Sequence, residues 1–147
     1  MIELDPEKEA HLARRVSLLS RQYVHGHDKA GWLGLFAEDG IIEDPIGVSP
    51  LDLKGEGHKT PAEREAFWDT NIANSDITIT IHDSYAAANE VANHLTLDVV
   101  VTLGDRKFRQ QTRGIFTYKV DEGGKIKALR GYWDLDDTLK TMREVGE

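Results

Sequence analysis

The residues of this 147-residue chain with the clearest chemical promise lie in Ile41-Ile42-Glu43-Asp44-Pro45-Ile46-Gly47. One acid, Asp44, ends a short apolar run and precedes a proline, which steers its backbone away from helical geometry. Isoleucines on both sides imply that the backbone enters an apolar interior there. A carboxylate held in such a place loses hydration and its pKa rises, which suits it to taking and returning a proton near neutrality. The same residues also fit an Asx turn, with Asp44 capping a loop and Glu43 as the solvated acid.

Other polar groupings offer less. His25-x-His27-Asp28 has metal-binding residue types but sits at a helix end with no third or fourth ligand in sequence, so a terminus cap with solvated imidazoles is expected rather than a metal site. His82-Asp83 reads as a strand end, and Ser20 and Ser84 lack a nucleophile-elbow setting. The glycines between 47 and 59 lack the strand–loop–helix context of a phosphate cradle. There is no cysteine, which excludes disulfides and thiolate chemistry. A net charge of −8 and a pI near 5.2, with one short basic cluster at Arg106-Lys107-Phe108-Arg109, argue against a nucleic-acid partner. The apolar runs are shorter than a membrane span and the N-terminus is acidic rather than signal-like. The expectation is a soluble cytoplasmic protein with no cofactor and no membrane partner.

Local signals define the elements that must position Asp44. Asp5-Pro6 followed by Glu7 and Glu9 reads as a helix start, with Leu12, Val16, Leu19 and Tyr23 on one stripe and Gly26 as its end. Asp28 can cap a second, shorter helix carrying Trp32 and Phe36, and Ile41 to Asp44 reads as a short strand. Residues 47–59 read as a long loop, after which Thr60-Pro61-Ala62-Glu63 has capping-box form and opens a third helix with Phe67 and Trp68. Beyond residue 76 the period becomes two: Ile77, Ile79, Ile81, then Leu95, Leu97, Val99, Val101, then Gly114, Phe116 and Tyr118. Gly123-Gly124 turns into Ile126–Trp133. Three helices followed by about four antiparallel strands make an α+β plan. The sheet must curl its apolar face around the helices, leaving a cavity between them. A single domain over residues 1–147, with its core at about 12–137, is expected.

Trp32-Leu33-Gly34-Leu35-Phe36-Ala37-Glu38-Asp39 followed by Ile42-Glu43-Asp44-Pro45-Ile46-Gly47 resembles the first half of steroid Δ-isomerases. Ala66-Phe67-Trp68, Arg113–Tyr118 and Arg130-Gly131-Tyr132-Trp133 fit as well. Over roughly residues 12–137 the chain is similar to the ketosteroid-isomerase-like branch of the nuclear transport factor 2-like superfamily, which also holds polyketide cyclases, dehydratases and epoxide hydrolases. The resemblance implies a cone-shaped α+β fold with a deep apolar pocket, a homodimer, and Asp44 as general base for proton transfer beside a carbonyl.

It also implies an oxyanion hole made by a tyrosine and a protonated aspartate, an arrangement for which ketosteroid isomerase is the standing example. Ungapped alignment puts Ser20 at the tyrosine position, with Tyr23 one helical turn later as a candidate donor, and Gly114 at the aspartate position. Phe36, Phe67, Trp68, Leu97, Val99, Phe116 and Trp133 are expected to line the pocket, the indoles doubling as possible donors. The implied ligand is a flat apolar steroid- or polyketide-like molecule. Four readings stay open: a steroid-isomerase-type enzyme with low activity, a non-catalytic binder, a polyketide cyclase or dehydratase, and an epoxide hydrolase. For the last, Gly131 stands where one of its acids is expected.

Overall fold

In the computed structural model, which describes residues 4–146, helices α1 (Leu12–His25) and α2 (Lys29–Leu33) lead into strand β1 (Phe36–Glu43). Helix α3 (Pro61–Asn71) follows the long loop. Strands β2 (Ser75–Ala87), β3 (Glu90–Leu103), β4 (Arg106–Val120) and β5 (Ile126–Tyr132) come next, then α4 (Leu135–Leu139) and β6 (Arg143–Glu144). The period-two segments form an antiparallel meander, and β1 joins its end parallel to β5, giving the order β1-β5-β4-β3-β2 with β6 on β4. The sheet is curved and open, and its concave face packs against the helices. The register shift between Ile81 and Asp83 adds a local bend in β2.

The alternation puts Ile81, Val91, Leu95 and Phe116 into the core facing α1, where Val16, Leu18 and Val24 meet them. Helix α3 keeps the expected capping box, with Thr60 and Glu63 each bonding the other's backbone N–H. Asp28 caps α2 through Gly31 N–H, and Asp134 caps α4 through Asp137 N–H. Buried Arg64 on α3 donates to the carbonyls of Gly40, Lys59 and Glu38, fixing that helix against β1.

Three local expectations need correction. The first helix starts at Leu12 rather than near Pro6, because Asp5 caps a separate turn through Glu7 N–H while His11 accepts from Arg14 N–H as the true cap. Strand β1 starts at Phe36 rather than Ile41. His25 and His27 are not free imidazoles: His25 Nε2 accepts from Ile79 N–H at 2.9 Å, and His27 Nε2 lies 2.8 Å from Ser75 O, so both tie the end of α1 to β2. Among the described residues, no helix is long and apolar enough to cross a membrane, and no three metal-binding side chains gather.

Candidate functional site

Asp44 is positioned by the one parallel pairing in the sheet. Ile42 and Glu43 lie in register with Leu129 and Arg130, so the next residue, Asp44, comes opposite Gly131. Glu43 turns to the outer side and pairs with Arg130 Nε at 2.8 Å, which leaves Asp44 as the acid on the inner face. Gly131 makes that approach possible. A Cβ there would lie 2.6 Å from Asp44 Oδ1 and 2.9 Å from both Phe116 Cε2 and Trp133 Nε1. The chain beyond Asp44 is fastened to the same strand by Ile46 N–H donating to Gly131 O.

The carboxyl lines a cavity of about 450 Å³ between the concave sheet and helices α1 and α3. Apolar side chains such as Ile79, Leu97, Val99, Phe67 and Leu129 form most of the wall. Trp133 Nε1 donates to Asp44 Oδ1 at 2.6 Å, the one hydrogen bond to this carboxylate among the described residues. Loss of solvation outweighs that bond and pushes the Asp44 pKa up to about 6. A base with that value is substantially ionised at neutral pH and still strong enough to take a proton.

The cavity wall also carries a network of neutral polar groups between α1, α2 and β4. Tyr118 hydroxyl donates to Ser20 Oγ at 2.9 Å, and Trp32 Nε1 donates to the same oxygen at 3.0 Å. Burial, together with the charge of Asp44, raises the Tyr118 pKa to about 12 despite the Ser20 bond, so the phenol stays protonated. The two hydroxyls carry two hydrogens, of which one lies in their mutual bond. The other has no acceptor among the described residues, and both side chains line the cavity. The site therefore pairs a desolvated carboxylate with one uncommitted hydroxyl hydrogen.

This arrangement has relatives. The SnoaL-like domain family matches residues 20–129, well over half of the sequence. The chain belongs to the SnoaL-like domain family. Within it the chain is ketosteroid isomerase-like. The Δ5-3-ketosteroid isomerase from Mycobacterium sp. is 34% identical, with 92% of this chain and 100% of that one covered and a TM-score of 0.81. RV0760c from Mycobacterium tuberculosis is 36% identical over 94% of this chain and 99% of its own, with a TM-score of 0.80. That protein is also known in complex with estradiol-17β-hemisuccinate. A computationally designed 17-OHP binder is 35% identical, covering 92% and 99% of the two chains, with a TM-score of 0.81. No curated protein matches the sequence.

The SnoaL-like domain brings Asp44, Ser20, Phe67, Leu97, Val99, Phe116 and Trp133 to one cavity. Four expected members lie elsewhere. Phe36 packs edge-on against Trp32 beneath the Arg64 guanidinium, and Trp68 packs at a tilt against Trp32, so both are core residues screened from the cavity. Tyr23, on the flank of α1, rests its ring against Gly31 of α2. Gly114 lies under the Tyr132 carbonyl and Trp133 Cβ, with no room for a side chain, so it supplies no donor position. The polar members missed in the sequence include Tyr118, Asn93, Ser17 and Trp32. Alternation carried one step back from Leu95 would have turned Asn93 inward, and the inward face of β4 already contained the Tyr118 phenol.

Proposed function

We propose that this SnoaL-like protein binds a flat apolar steroid- or polyketide-like ligand and moves a proton on the carbon next to its carbonyl, with Asp44 as the base. The observation that carries this reading is the Asp44 carboxyl on the wall of an apolar cavity, desolvated to a pKa of about 6 and held by a single indole N–H. As the C–H bond breaks, its proton goes to Asp44 and its electron pair forms the new C=C bond. The carbonyl π electrons move to oxygen. That oxygen accepts a hydrogen bond from the uncommitted hydroxyl of the Ser20–Tyr118 pair, Ser20 standing at the position where the resemblance expects the donor tyrosine. Asp44 then returns the proton to the same carbon or, in a conjugated ligand, to another one. Trp133 orients the carboxylate, and the apolar walls supply affinity through buried area.

Proton exchange from the α-carbon of a flat cyclic ketone into D2O, followed by NMR, tests the proposal. The rate should rise with pH through about 6, fall to background in Asp44→Asn, and drop by on the order of a hundredfold or more in the double variant Ser20→Ala/Tyr118→Phe, which removes both hydroxyls. Exchange unaffected by Asp44→Asn would overturn it. The binding-only reading keeps support from Ser20, which carries no phenol of its own. Tight ligand binding without any Asp44-dependent exchange would favour it. A homodimer built through the outer sheet face, where Tyr85, Ile115 and Tyr132 are exposed, belongs to the same proposal.

A further inference from the structure

Among the described residues, one buried side-chain polar atom has no hydrogen-bond partner: Asn93 Oδ1. Asn93 is 2% exposed and lines the cavity. Its orientation follows from its neighbours. Ser17 Oγ spends its hydrogen on Arg14 O at 2.7 Å, so toward Asn93 it can only accept, and it does so from Nδ2 at 3.0 Å. The amide oxygen is therefore the end left over. An unpaired buried amide acceptor is costly, which makes it a strong candidate for pairing with a ligand.

Asn93 lies directly across from Phe116 in the β3–β4 register, and Tyr118 is two residues further along β4 on the same face. On α1, Ser17 and Ser20 are three residues apart and thus neighbours on the helix surface. The orphan acceptor and the uncommitted hydroxyl hydrogen consequently share one corner of the cavity. A bare ketone placed there accepts from the Ser20–Tyr118 pair and leaves Asn93 Oδ1 unsatisfied. A hydroxyl both accepts from the pair and donates to Asn93.

We infer that this corner is a hydroxyl-recognition subsite formed by Asn93 Oδ1 with the Ser20–Tyr118 pair. Resting on the reading that a flat apolar ligand fills the cavity, it narrows that ligand to one with a phenol, alcohol or enol at its buried end. A reacting ligand meets this corner through the enol form of its own carbonyl, whose oxygen accepts from the pair and whose hydrogen goes to Asn93 Oδ1.

Two matched probes isolate the donated hydrogen: 2-naphthol, and 2-methoxynaphthalene, whose oxygen can only accept. Calorimetric titration of the full chain should give 2-naphthol an advantage of about tenfold or more in Kd. In Asn93→Leu that advantage should shrink to within about threefold while the ether binds much as before. Equal binding of the two probes to the unmodified protein would overturn the subsite. So would a preference that survives in Asn93→Leu, because the hydroxyl would then be met elsewhere. Should Asn93→Leu fail to fold, the ¹³Cγ resonance of Asn93 in the labelled unmodified protein decides: it should move with 2-naphthol and stay with the ether, and the same response to both refutes the contact. Asp44-independent proton exchange would overturn the base assignment and leave the naphthol preference intact, so the two failures are separable.

Discussion

Replacing Asp44 with asparagine should stabilise the protein, by an amount that depends on pH in a defined direction. In the native state burial holds the Asp44 pKa near 6, whereas in the unfolded chain it reverts to about its ordinary 3.8. Between these values the native state binds more protons than the unfolded state, so native stability falls as pH rises through this window. The folded protein below pH 4 carries a neutral carboxylic acid, close in shape to asparagine, and the two proteins should be equally stable there. Above pH 6 to 7 the unmodified protein must hold an ion in a poorly solvating site. At 1.36 kcal/mol per pH unit, a rise from 3.8 to about 6 corresponds to about 3 kcal/mol, an upper figure for the advantage of Asp44→Asn. For a chain of this size that is roughly 6–12 °C in Tm. Urea unfolding of both proteins at a series of pH values from 4 to 8 measures the difference directly, since all other titrations are common to both. A difference that is flat with pH, or one in which the unmodified protein gains on the variant as pH rises, would refute the desolvation argument for Asp44.

Two further outcomes follow from the same geometry. Gly131→Ala should cost about 1–3 kcal/mol in urea unfolding and displace the carboxylate, because the new methyl would lie 2.6 Å from Asp44 Oδ1; a variant as stable as the unmodified protein would show that this approach is not tight. Trp133→Phe removes the one bond that favours the ionised form, so the Asp44 carboxyl resonance should titrate above 6 by ¹³C NMR, and an unchanged midpoint would count against the indole contact.

Local chemistry made much of the fold legible before any coordinates. Asp28 and the Thr60–Glu63 box fix their helix starts through side chain–backbone bonds that depend on adjacent residues alone, and alternation on β2 to β5 follows from one buried face. The parallel seat of β1 on β5 was not legible, because it is decided by partners far away in sequence. The start of α1 was misread for a different reason: Asp5-Pro6 is good cap chemistry, but the chain uses it for an isolated turn. At the site, Asp44 could be read from its apolar neighbours and the following proline. The Tyr118–Ser20 contact could not, because the phenol enters from β4 and meets α1 from another part of the chain. Position-by-position matching sees which residue occupies a backbone position and is blind to a functional group delivered from a different one. Gly114 failed on a different, steric ground, the space for a side chain being filled by the Tyr132 carbonyl and Trp133 Cβ.

The parallel pairing of β1 with β5 also bears on the order of folding. Strands β2 to β5 can zip as successive hairpins with short connections, whereas the Glu43–Arg130 contact closes 87 residues of chain. Asp44 reaches its desolvated seat only when that long closure is complete, so a partly folded chain holding the meander alone keeps this carboxylate in water. Ligand binding energy that depends on the finished cavity is then available only to the fully closed topology. A bound ligand would accordingly slow unfolding far more than it speeds folding, making occupancy of the cavity a kinetic lock on the edge strand.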